Sequence, residues 1–175
     1  MKKMNSISRF KNRNIAKLTS RIPFLAKAIT SGFFAVETTR VPWTPPIKPL
    51  AESKVAIVTT AGIHQKEQQP FDMGDPNGDP SFRTIDMSHP LIDLMITHNY
   101  YNHKDADRDI NIIFPIQRLW ELERERMIGE IAGFHYGFMG HITGGHVQTL
   151  INQKAPAVAQ RLKEDNVDIV LLTPG

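Results

Sequence analysis

The seven histidines are the residues of this chain that most readily suggest catalysis or metal binding. His135, His141 and His146 are spaced by six and five residues, and His98 and His103 by five. The helical zinc motif H-E-x-x-H places its two imidazoles at i and i+4 on one face, and neither spacing does so. The sequence therefore predicts histidines in loops or on the surface, and no metal site.

Two acidic runs resemble calcium-binding loops but lack residues that such loops need. In each run, acidic or amide side chains occupy alternate positions, starting at Asp75 and at Asp105. An EF-hand loop also requires glycine at its sixth position and glutamate at its twelfth. The first run has Pro80 and Asp86 there, and the second has isoleucine at both positions. We interpret both runs as solvated turns.

No nucleophile can be placed from the sequence, because the chain has no cysteine and no serine in a G-x-S-x-G elbow. His64, Arg83 and His98 are candidates for supporting or substrate-contacting roles. Arg83 could clamp a carboxylate with two parallel hydrogen bonds. His64 or His98 could be the base of a small hydrolase or transferase, although no nucleophile is paired with either in the sequence.

The glycines around His141 predict a flexible loop before a helix. Such a loop can cradle an anion at the N-terminus of the helix. No G-x-G-x-x-G or Walker pattern is present, so a nucleotide site is not predicted. The glycines of this loop are Gly137, Gly140, Gly144 and Gly145.

The final residues, from Asp168 to Gly175, predict a strand that ends in a turn. A short run of Val, Ile and Leu bounded by turn residues is typical of a buried strand in an α/β sheet. In such sheets the working groups lie just beyond the carboxyl ends of the strands. Thr173 and Gly175 are therefore candidate site residues as well.

Strands and helices alternate in the sequence, which indicates an α/β fold with a doubly wound, mainly parallel sheet of the flavodoxin or Rossmann type. Gly129 is expected to cap the first helix, and Pro156 to kink or divide the second. A long polar stretch runs from His64 to Arg83. The predicted strands are residues 54–62, 109–115, 131–139 and 167–173, the predicted helices are residues 116–127 and 147–163, and residues 90–97 form a short helix or strand.

The positive charge of the chain lies in its first residues. Residues 1–36 hold eight Lys or Arg and no acidic residue, whereas the rest has 13 basic and 18 acidic residues, a net charge of −5. Nucleic-acid binding by the folded domain is therefore not predicted, since it would need a basic face there. We divide the chain into a basic, helical segment (1–40), a proline-rich linker (41–53) and an α/β domain (54–175).

Three interpretations of the basic segment stay open: a helix that packs on the domain or on a partner subunit, a helix on a membrane surface, and a targeting peptide. The absence of cysteine is compatible with a cytoplasmic protein. A membrane span needs about 18 uninterrupted apolar residues, and the sequence contains no such run. We therefore expect a cytoplasmic protein, with membrane-surface contact through residues 1–36 as an alternative.

Several segments together resemble the selenoprotein B family, which comprises the glycine, sarcosine, betaine and D-proline reductases. The resemblance covers residues 41–175, and the closing V-L-L-T-P-G is similar to the stretch immediately before the selenocysteine of the family. The basic segment lies outside the pattern. The segments are V-A-I-V-T-T-A-G-I-H (55–64), G-D-P-S-F-R (78–83), D-I-N-I-I-F-P (109–115) and Y-G-F-M-G (136–140).

The resemblance implies reductive cleavage of a C–N bond in a small, amino-acid-derived substrate. It implies a selenocysteine nucleophile within a U-x-x-C motif, a pyruvoyl group on a partner subunit, and a thioredoxin-type reductant. A selenol suits this chemistry because the anion is the nucleophile and its pKa lies well below the ~8.5 of a thiol. Glycine, betaine, sarcosine and D-proline are equally compatible with the segments quoted.

On the same resemblance we expect selenocysteine directly after Gly175, at an in-frame UGA codon that the organism reads through. The sheet of residues 54–175 would then be incomplete, and the chain alone would be inactive because every catalytic group lies outside it. A different class of function stays open, namely a non-catalytic α/β subunit that binds a ligand or acts as a scaffold.

Overall fold

The computed structural model describes residues 44–175. The predicted basic helix (1–40) and its predicted contact with a membrane surface lie outside the described residues. The described part of the linker is exposed and irregular until a 3₁₀ turn at Leu50–Glu52. None of the helices in residues 44–175 is long and apolar enough to cross a membrane.

The described chain contains both strands and helices, but four strands precede the first α-helix, so the regular alternation that the sequence predicts is not observed. The strands are β1 (Lys54–Thr59), β2 (Ile63–Gln65), β3 (Phe82–Asp86), β4 (Leu94–Ile96), β5 (Glu130–Ile131), β6 (Phe134–Phe138) and β7 (Ile169–Thr173). The helices are α1 (Ile116–Arg124), α2 (His146–Thr149) and α3 (Ala155–Glu164), with a π-helical turn at Leu150–Lys154 and 3₁₀ turns at Leu91–Asp93 and Ile110–Ile112.

Strand β1 is the centre of the main sheet. It pairs in parallel with β7 along one side, and with β5 and then β6 along the other. Strand β3 pairs antiparallel with β6, so β3 and β7 form the two edges. Strands β2 and β4 form a separate antiparallel pair. The main sheet is therefore mostly parallel, as predicted.

The helices cover opposite faces of this sheet. Leu119 of α1 packs in the cluster that contains Ile57 of β1. Val158 and Leu162 of α3 pack in the cluster that contains Ala56. Successive side chains of a strand point to opposite faces, so α1 and α3 lie on different sides of β1. The predicted α/β class is confirmed, and the assignment to the flavodoxin or Rossmann type stays a prediction.

A histidine bridges the break between β5 and β6. The Ile57 N–H donates to Nδ1 of His135 at 2.8 Å, where an unbroken strand would offer a carbonyl. Burial lowers the pKa of His135 to about 4, against an opposing effect of Asp165. The ring is therefore neutral at pH 7, and its Nδ1 keeps the lone pair that accepts this bond.

The strand predicted at residues 109–115 is wrong. Asp109 accepts a hydrogen bond from the Asn111 N–H at 3.0 Å and starts the 3₁₀ turn at Ile110–Ile112. This local side-chain bond competes with an extended backbone. Ile113 and Phe114 still reach the core, which explains the strand-like apolar pattern.

Two further expectations need correction. Helix α1 ends at Arg124, and Arg126 with φ 59° supplies the left-handed turn, so Gly129 is not the cap. A Cβ at Gly129 would overlap the backbone of Glu52. Glycine is needed at this position because the two backbone segments approach closely. The polar stretch from His64 to Arg83 is not a single loop, because its two ends belong to β2 and β3.

The helix containing Pro156 is divided, as predicted. Proline has no N–H and its ring crowds the preceding turn of a helix. The π-helical turn at Leu150–Lys154 ends directly before α3 and places Pro156 in the first turn of α3. A wider turn gives the proline ring the room that a regular α-helix would deny it.

Strand β7 forms where it is predicted, but within the described residues it is largely exposed, whereas a buried strand was expected. Val170 and Leu171 are each 37% exposed, and Leu172 is 73% exposed. The apolar composition of a strand does not tell which position it takes in a sheet. Among the described residues β7 pairs only with β1, so one of its sides stays open.

Candidate functional site

The carboxyl ends of three parallel strands meet at one edge of the sheet, which we call the carboxyl edge and define by residues 60–62, 139–140 and 173–175. The Thr60 N–H donates to the Thr173 carbonyl at 3.0 Å, joining the ends of β1 and β7. Ala61 pairs with Met139, and the Gly62 N–H donates to the Phe138 carbonyl at 2.8 Å.

This edge contains the point at which the chain changes direction in the sheet. After β6, on one side of β1, the chain passes through α3 to β7 on the other side. We call the line along which the ends of β1 and β7 meet, between Ala61 and Gly175, the crevice between these strands. Ligands of α/β proteins bind at such switch points.

Gly175 lies against Ala61 in this crevice. A Cβ at Gly175 would overlap the backbone and side chain of Ala61. The contact requires glycine because any side chain would occupy the position of its neighbour. Two of the predicted site residues, Thr173 and Gly175, therefore lie at the carboxyl edge.

Two threonine hydroxyls fix the ends of β1 and β7. Thr59 and Thr173 donate to the same Ile113 carbonyl, at 3.2 and 2.7 Å. Thr59 Oγ1 also accepts from the Ala61 N–H at 3.2 Å. These bonds anchor the turn after β1 to the segment before α1, so the crevice has a fixed wall.

His98 reaches the carboxyl edge from the segment after β4. The Gly140 N–H lies 3.2 Å from Nε2, and the Tyr100 N–H lies 3.1 Å from Nδ1. Burial lowers the pKa of His98 to about 4, and the charges of His141 and His103 lower it further. The ring is neutral at pH 7, so one of its two nitrogens can accept a hydrogen bond, and the side chain supplies no positive charge.

Tyr101 completes the wall of the crevice and is the residue that sequence reasoning missed. Its hydroxyl donates to the Ala61 carbonyl at 3.0 Å, and its ring centre lies 4.7 Å from that of His98. Burial, followed by the charge of Asp107, raises the pKa of Tyr101, so the hydroxyl stays protonated and donates. No sequence pattern connects Tyr101 with Ala61, forty residues earlier.

The loop that contains His141 and His146 lies beside the carboxyl edge and is held by the acidic run that begins at Asp75. His141 stacks on Tyr100 with ring centres 3.8 Å apart, and its Nε2 lies 3.0 Å from the Pro76 carbonyl. His146 pairs with Asp75 at 2.9 Å. A Cβ at Gly78 would overlap the His141 carbonyl, so this glycine permits the close approach of the two loops.

His64 lies next to the carboxyl edge but does not open onto it. It is 1% exposed, with Nε2 2.7 Å from the Thr97 hydroxyl and Nδ1 2.7 Å from the Gln65 carbonyl. Thr97 directly precedes His98, so His64 supports the segment that carries His98. Its predicted role as a base stays a prediction.

Arg83 lies on β3, and its guanidinium binds the chain itself. Its Nε donates to the Gln69 carbonyl at 2.6 Å, and Nη2 donates to the Pro70 carbonyl at 3.1 Å. The guanidinium also pairs with Asp79 at 3.5 Å and lies 4.4 Å over the Phe71 ring. These contacts are structural, and the predicted clamp for a substrate carboxylate stays a prediction.

Metal binding has no candidate in the described part of the chain. Within residues 44–175, no three His, Asp or Glu side chains are grouped so that they could hold a metal ion. Of the predicted site residues, Thr173 and Gly175 lie at the carboxyl edge and His98 contacts this edge at Gly140, whereas His64 and Arg83 contact other segments.

A family model described as glycine/sarcosine/betaine reductase selenoprotein B matches residues 12–175. The match begins well before residue 41, so it corrects the expectation that the basic segment lies outside the family pattern. Much of this segment belongs to the family.

Curated relatives carry names of the same kind. The chain is 37% identical to the D-proline reductase subunit gamma of Acetoanaerobium sticklandii over 151 residues, which cover 86% of this chain and 60% of that protein. It is 32% identical to the glycine reductase complex component B subunit gamma of Symbiobacterium thermophilum, covering 77% of this chain and 31% of the relative. It is 31% identical to the sarcosine reductase complex component B subunit beta of Peptoclostridium acidaminophilum, covering 77% and 30%. No solved structure matches.

Proposed function

The chain belongs to the glycine/sarcosine/betaine reductase selenoprotein B family, and we propose that it is the N-terminal part of a reductase subunit that cleaves a C–N bond. The observation that carries the proposal is the contact of Gly175 with Ala61 at the carboxyl edge. A nucleophile directly after Gly175 would enter the crevice between β1 and β7, where α/β proteins bind their ligands.

The chain spans 60% of the D-proline reductase subunit and about a third of the glycine and sarcosine reductase subunits that it matches. We propose that selenocysteine follows Gly175 and opens a U-x-x-C motif. The substrate would be a small amino-acid derivative, as the names of the relatives suggest. Those relatives are subunits of complexes, so partner subunits are proposed as well.

The proposed reaction balances through selenium. The selenolate forms a bond to the substrate carbon while the C–N bond breaks and the nitrogen leaves as an amine. The thiolate of the motif then forms a Se–S bond, and the carbon leaves with the electron pair and takes a proton. A dithiol of the thioredoxin type reduces the Se–S bond.

The described residues would hold the nucleophile in place during this reaction. Tyr101 and His98 fix the two loops that border Gly175, through the Ala61 carbonyl and the Gly140 N–H. Because His98 is neutral, its side chain would not place a positive charge beside the selenolate. A pyruvoyl group, which supplies an electrophilic carbonyl for an amino group, would belong to the partner subunit.

The gene and its product test the position of the nucleophile. We expect an in-frame UGA after the Gly175 codon, a following U-x-x-C reading frame, and selenium in the isolated full-length protein by mass spectrometry. A UAA or UAG codon at that position would refute the selenocysteine proposal.

Activity is tested on the full-length protein with its partner subunits and a dithiol. Glycine, sarcosine, betaine and D-proline are offered separately, and we measure the C–N bond cleavage by product NMR. Turnover of one of them is expected. A selenium-containing complex that cleaves none of the four would overturn this substrate class and favour a ligand-binding subunit.

A glycine pair tests the geometry of the crevice. Gly175→Ala should lower turnover at least tenfold at unchanged selenium content, because the methyl group would overlap Ala61. Gly145→Ala is the matched control, since a Cβ there meets open space. Equal turnover of the two variants would contradict the proposed position of the nucleophile.

A further inference from the structure

A basic groove lies beside β3, away from the carboxyl edge. It is a cavity of about 360 Å³ between β3 and the helical segment that precedes β7. Lys154, Arg161 and Arg83 line it, and no carboxylate does. This is unusual for the molecule, because residues 37–175 carry a net charge of −5.

The charge of Arg83 is already balanced, whereas that of the other two cations is not. Arg83 pairs with Asp79 at 3.5 Å and uses its N–H groups on the chain. Within the described residues, Lys154 and Arg161 form no ion pair. The groove therefore has two positive charges without an anion.

Arg161, although exposed, contacts β3 at the groove. It lies 5.0 Å over the Phe82 ring and donates from Nη1 to the Thr84 hydroxyl at 3.2 Å. These two contacts hold the guanidinium at the groove, and its other N–H groups are available to a ligand. Lys154 is partly buried at the end of the π-helical turn.

The backbone of β3 at the groove is closed to an added strand. Gln68 donates from Nε2 to the Thr84 carbonyl at 2.7 Å. A ligand would therefore be recognised by side chains: an ammonium, a guanidinium and the hydrogen of the Thr84 hydroxyl. These are donors that suit a small anion with several acceptor oxygens.

We propose that this groove binds a phosphate-type anion. The volume suits orthophosphate or the phosphate of a monoester, and charge-assisted bonds from Lys154 and Arg161 would supply both affinity and orientation. The site is independent of the reductase proposal, because it shares no residue with the carboxyl edge.

Binding is measured by titration calorimetry of the full chain with sodium phosphate, against sodium chloride at matched ionic strength. We expect saturable phosphate binding that the double variant K154Q/R161Q weakens at least tenfold. The control K163Q/R124Q removes the same charge from exposed side chains outside the groove and should bind phosphate as the wild type does. Lys154→Gln alone, at a side chain without an ion pair, should also weaken binding and keep the circular dichroism spectrum.

A second ligand, glycerol 3-phosphate, identifies the source of the anion, and a third, a polyglutamate peptide, tests a carboxylate ligand instead. Glycerol 3-phosphate that binds at least as tightly as orthophosphate would assign the groove to organic phosphates, and weaker binding would assign it to free phosphate. The proposal is overturned if phosphate behaves like chloride, if both double variants lose binding equally, or if a polyglutamate peptide binds there and phosphate does not.

Discussion

The two edges of the main sheet are finished in different ways. On β3, Gln68 and Gln65 donate to the Thr84 and Asp86 carbonyls at 2.7 and 3.0 Å, so side chains of the same chain occupy the outer backbone groups. On β7, none of residues 44–175 donates a side-chain hydrogen bond to the strand, and Leu172 is 73% exposed.

The difference shows that the β3 edge excludes another strand. An edge with unpaired backbone groups and apolar side chains is a template for pairing, and proteins block such edges with polar or charged side chains. The β3 edge is blocked in this way and its loop is fastened by Arg83. Within residues 44–175 the β7 edge is not blocked in this way.

The largest effect on stability is expected from removing the Arg83 side chain, which holds the loop beside the β3 edge. Arg83→Met would leave Asp79 without its cation in a largely buried position and free two backbone carbonyls. The expected loss of unfolding free energy is about 3 kcal/mol, measured by urea denaturation. Arg118→Met, at an exposed side chain, is the control, and an equal loss in both would contradict a special role for Arg83.

A smaller effect is expected from uncovering the β3 backbone. Gln68→Ala removes the donor to the Thr84 carbonyl and the acceptor for the Gln65 N–H. The loss should be about 2 kcal/mol, since partly buried polar groups would be left unpaired. Amide exchange of β3 should rise with it. Gln69→Ala, whose side chain is exposed, should change neither quantity, and similar results for both would show that the capping contact is unimportant.

The pH dependence of the same edge has a defined sign. Burial works to raise the pKa of Asp79, but hydrogen bonds from Ser81 and Asp72 and the charge of Arg83 together hold it below 3.8. A carboxyl with a lowered folded pKa stabilises above its unfolded pKa and loses that stabilisation as the pH falls through the folded pKa. Asp79→Asn should therefore cost about 1 kcal/mol at pH 7.

The cost of Asp79→Asn should shrink as the pH falls below ~4, when the wild type is protonated as well. Urea denaturation of both proteins at several pH values measures it. Glu67→Gln, at an exposed side chain outside this edge, is the control variant. A constant difference between wild type and Asp79→Asn down to low pH would contradict the linkage.

The smallest change in stability is expected at the β7 edge. A substitution there should instead change self-association. Leu172→Lys should alter the unfolding free energy by no more than ~0.5 kcal/mol, because the side chain is largely exposed. A charge on the strand should reduce self-association in sedimentation experiments. Ile92→Lys, at a side chain that is 77% exposed outside the sheet, is the control. Identical association of wild type and Leu172→Lys would show that the β7 edge is not a contact surface.

The sequence predicted those elements whose pattern is local. The apolar run of β1, the helical spacing of α1, the division at Pro156 and the strand β7 are all present. The prediction failed at residues 109–115 because their apolar residues resemble a strand, whereas Asp109 accepts hydrogen bonds from Asn111 and favours a 3₁₀ turn. The fold class could be predicted from the sequence, but the exposure of the strands could not.

The candidate site was readable only in part. The rule that working groups lie beyond the carboxyl ends of parallel strands led to Thr173 and Gly175, and both are there. His98 was chosen for its residue type alone. Its contact with Gly140 spans forty-two residues, and no periodicity in the sequence encodes such a contact.

The sequence alone was enough to predict the α/β class, β1, α1, β7 and the family, because hydrophobic periodicity, proline and glycine act within a few residues and motifs are linear. Three features could be seen only in the tertiary structure: Tyr101 contacts Ala61 and His98 contacts Gly140 at the carboxyl edge, His135 replaces a strand carbonyl, and β7 pairs only with β1 within residues 44–175. Those features depend on contacts between residues far apart in the chain. Such contacts are set by how the whole sheet packs, not by the local preferences of any segment.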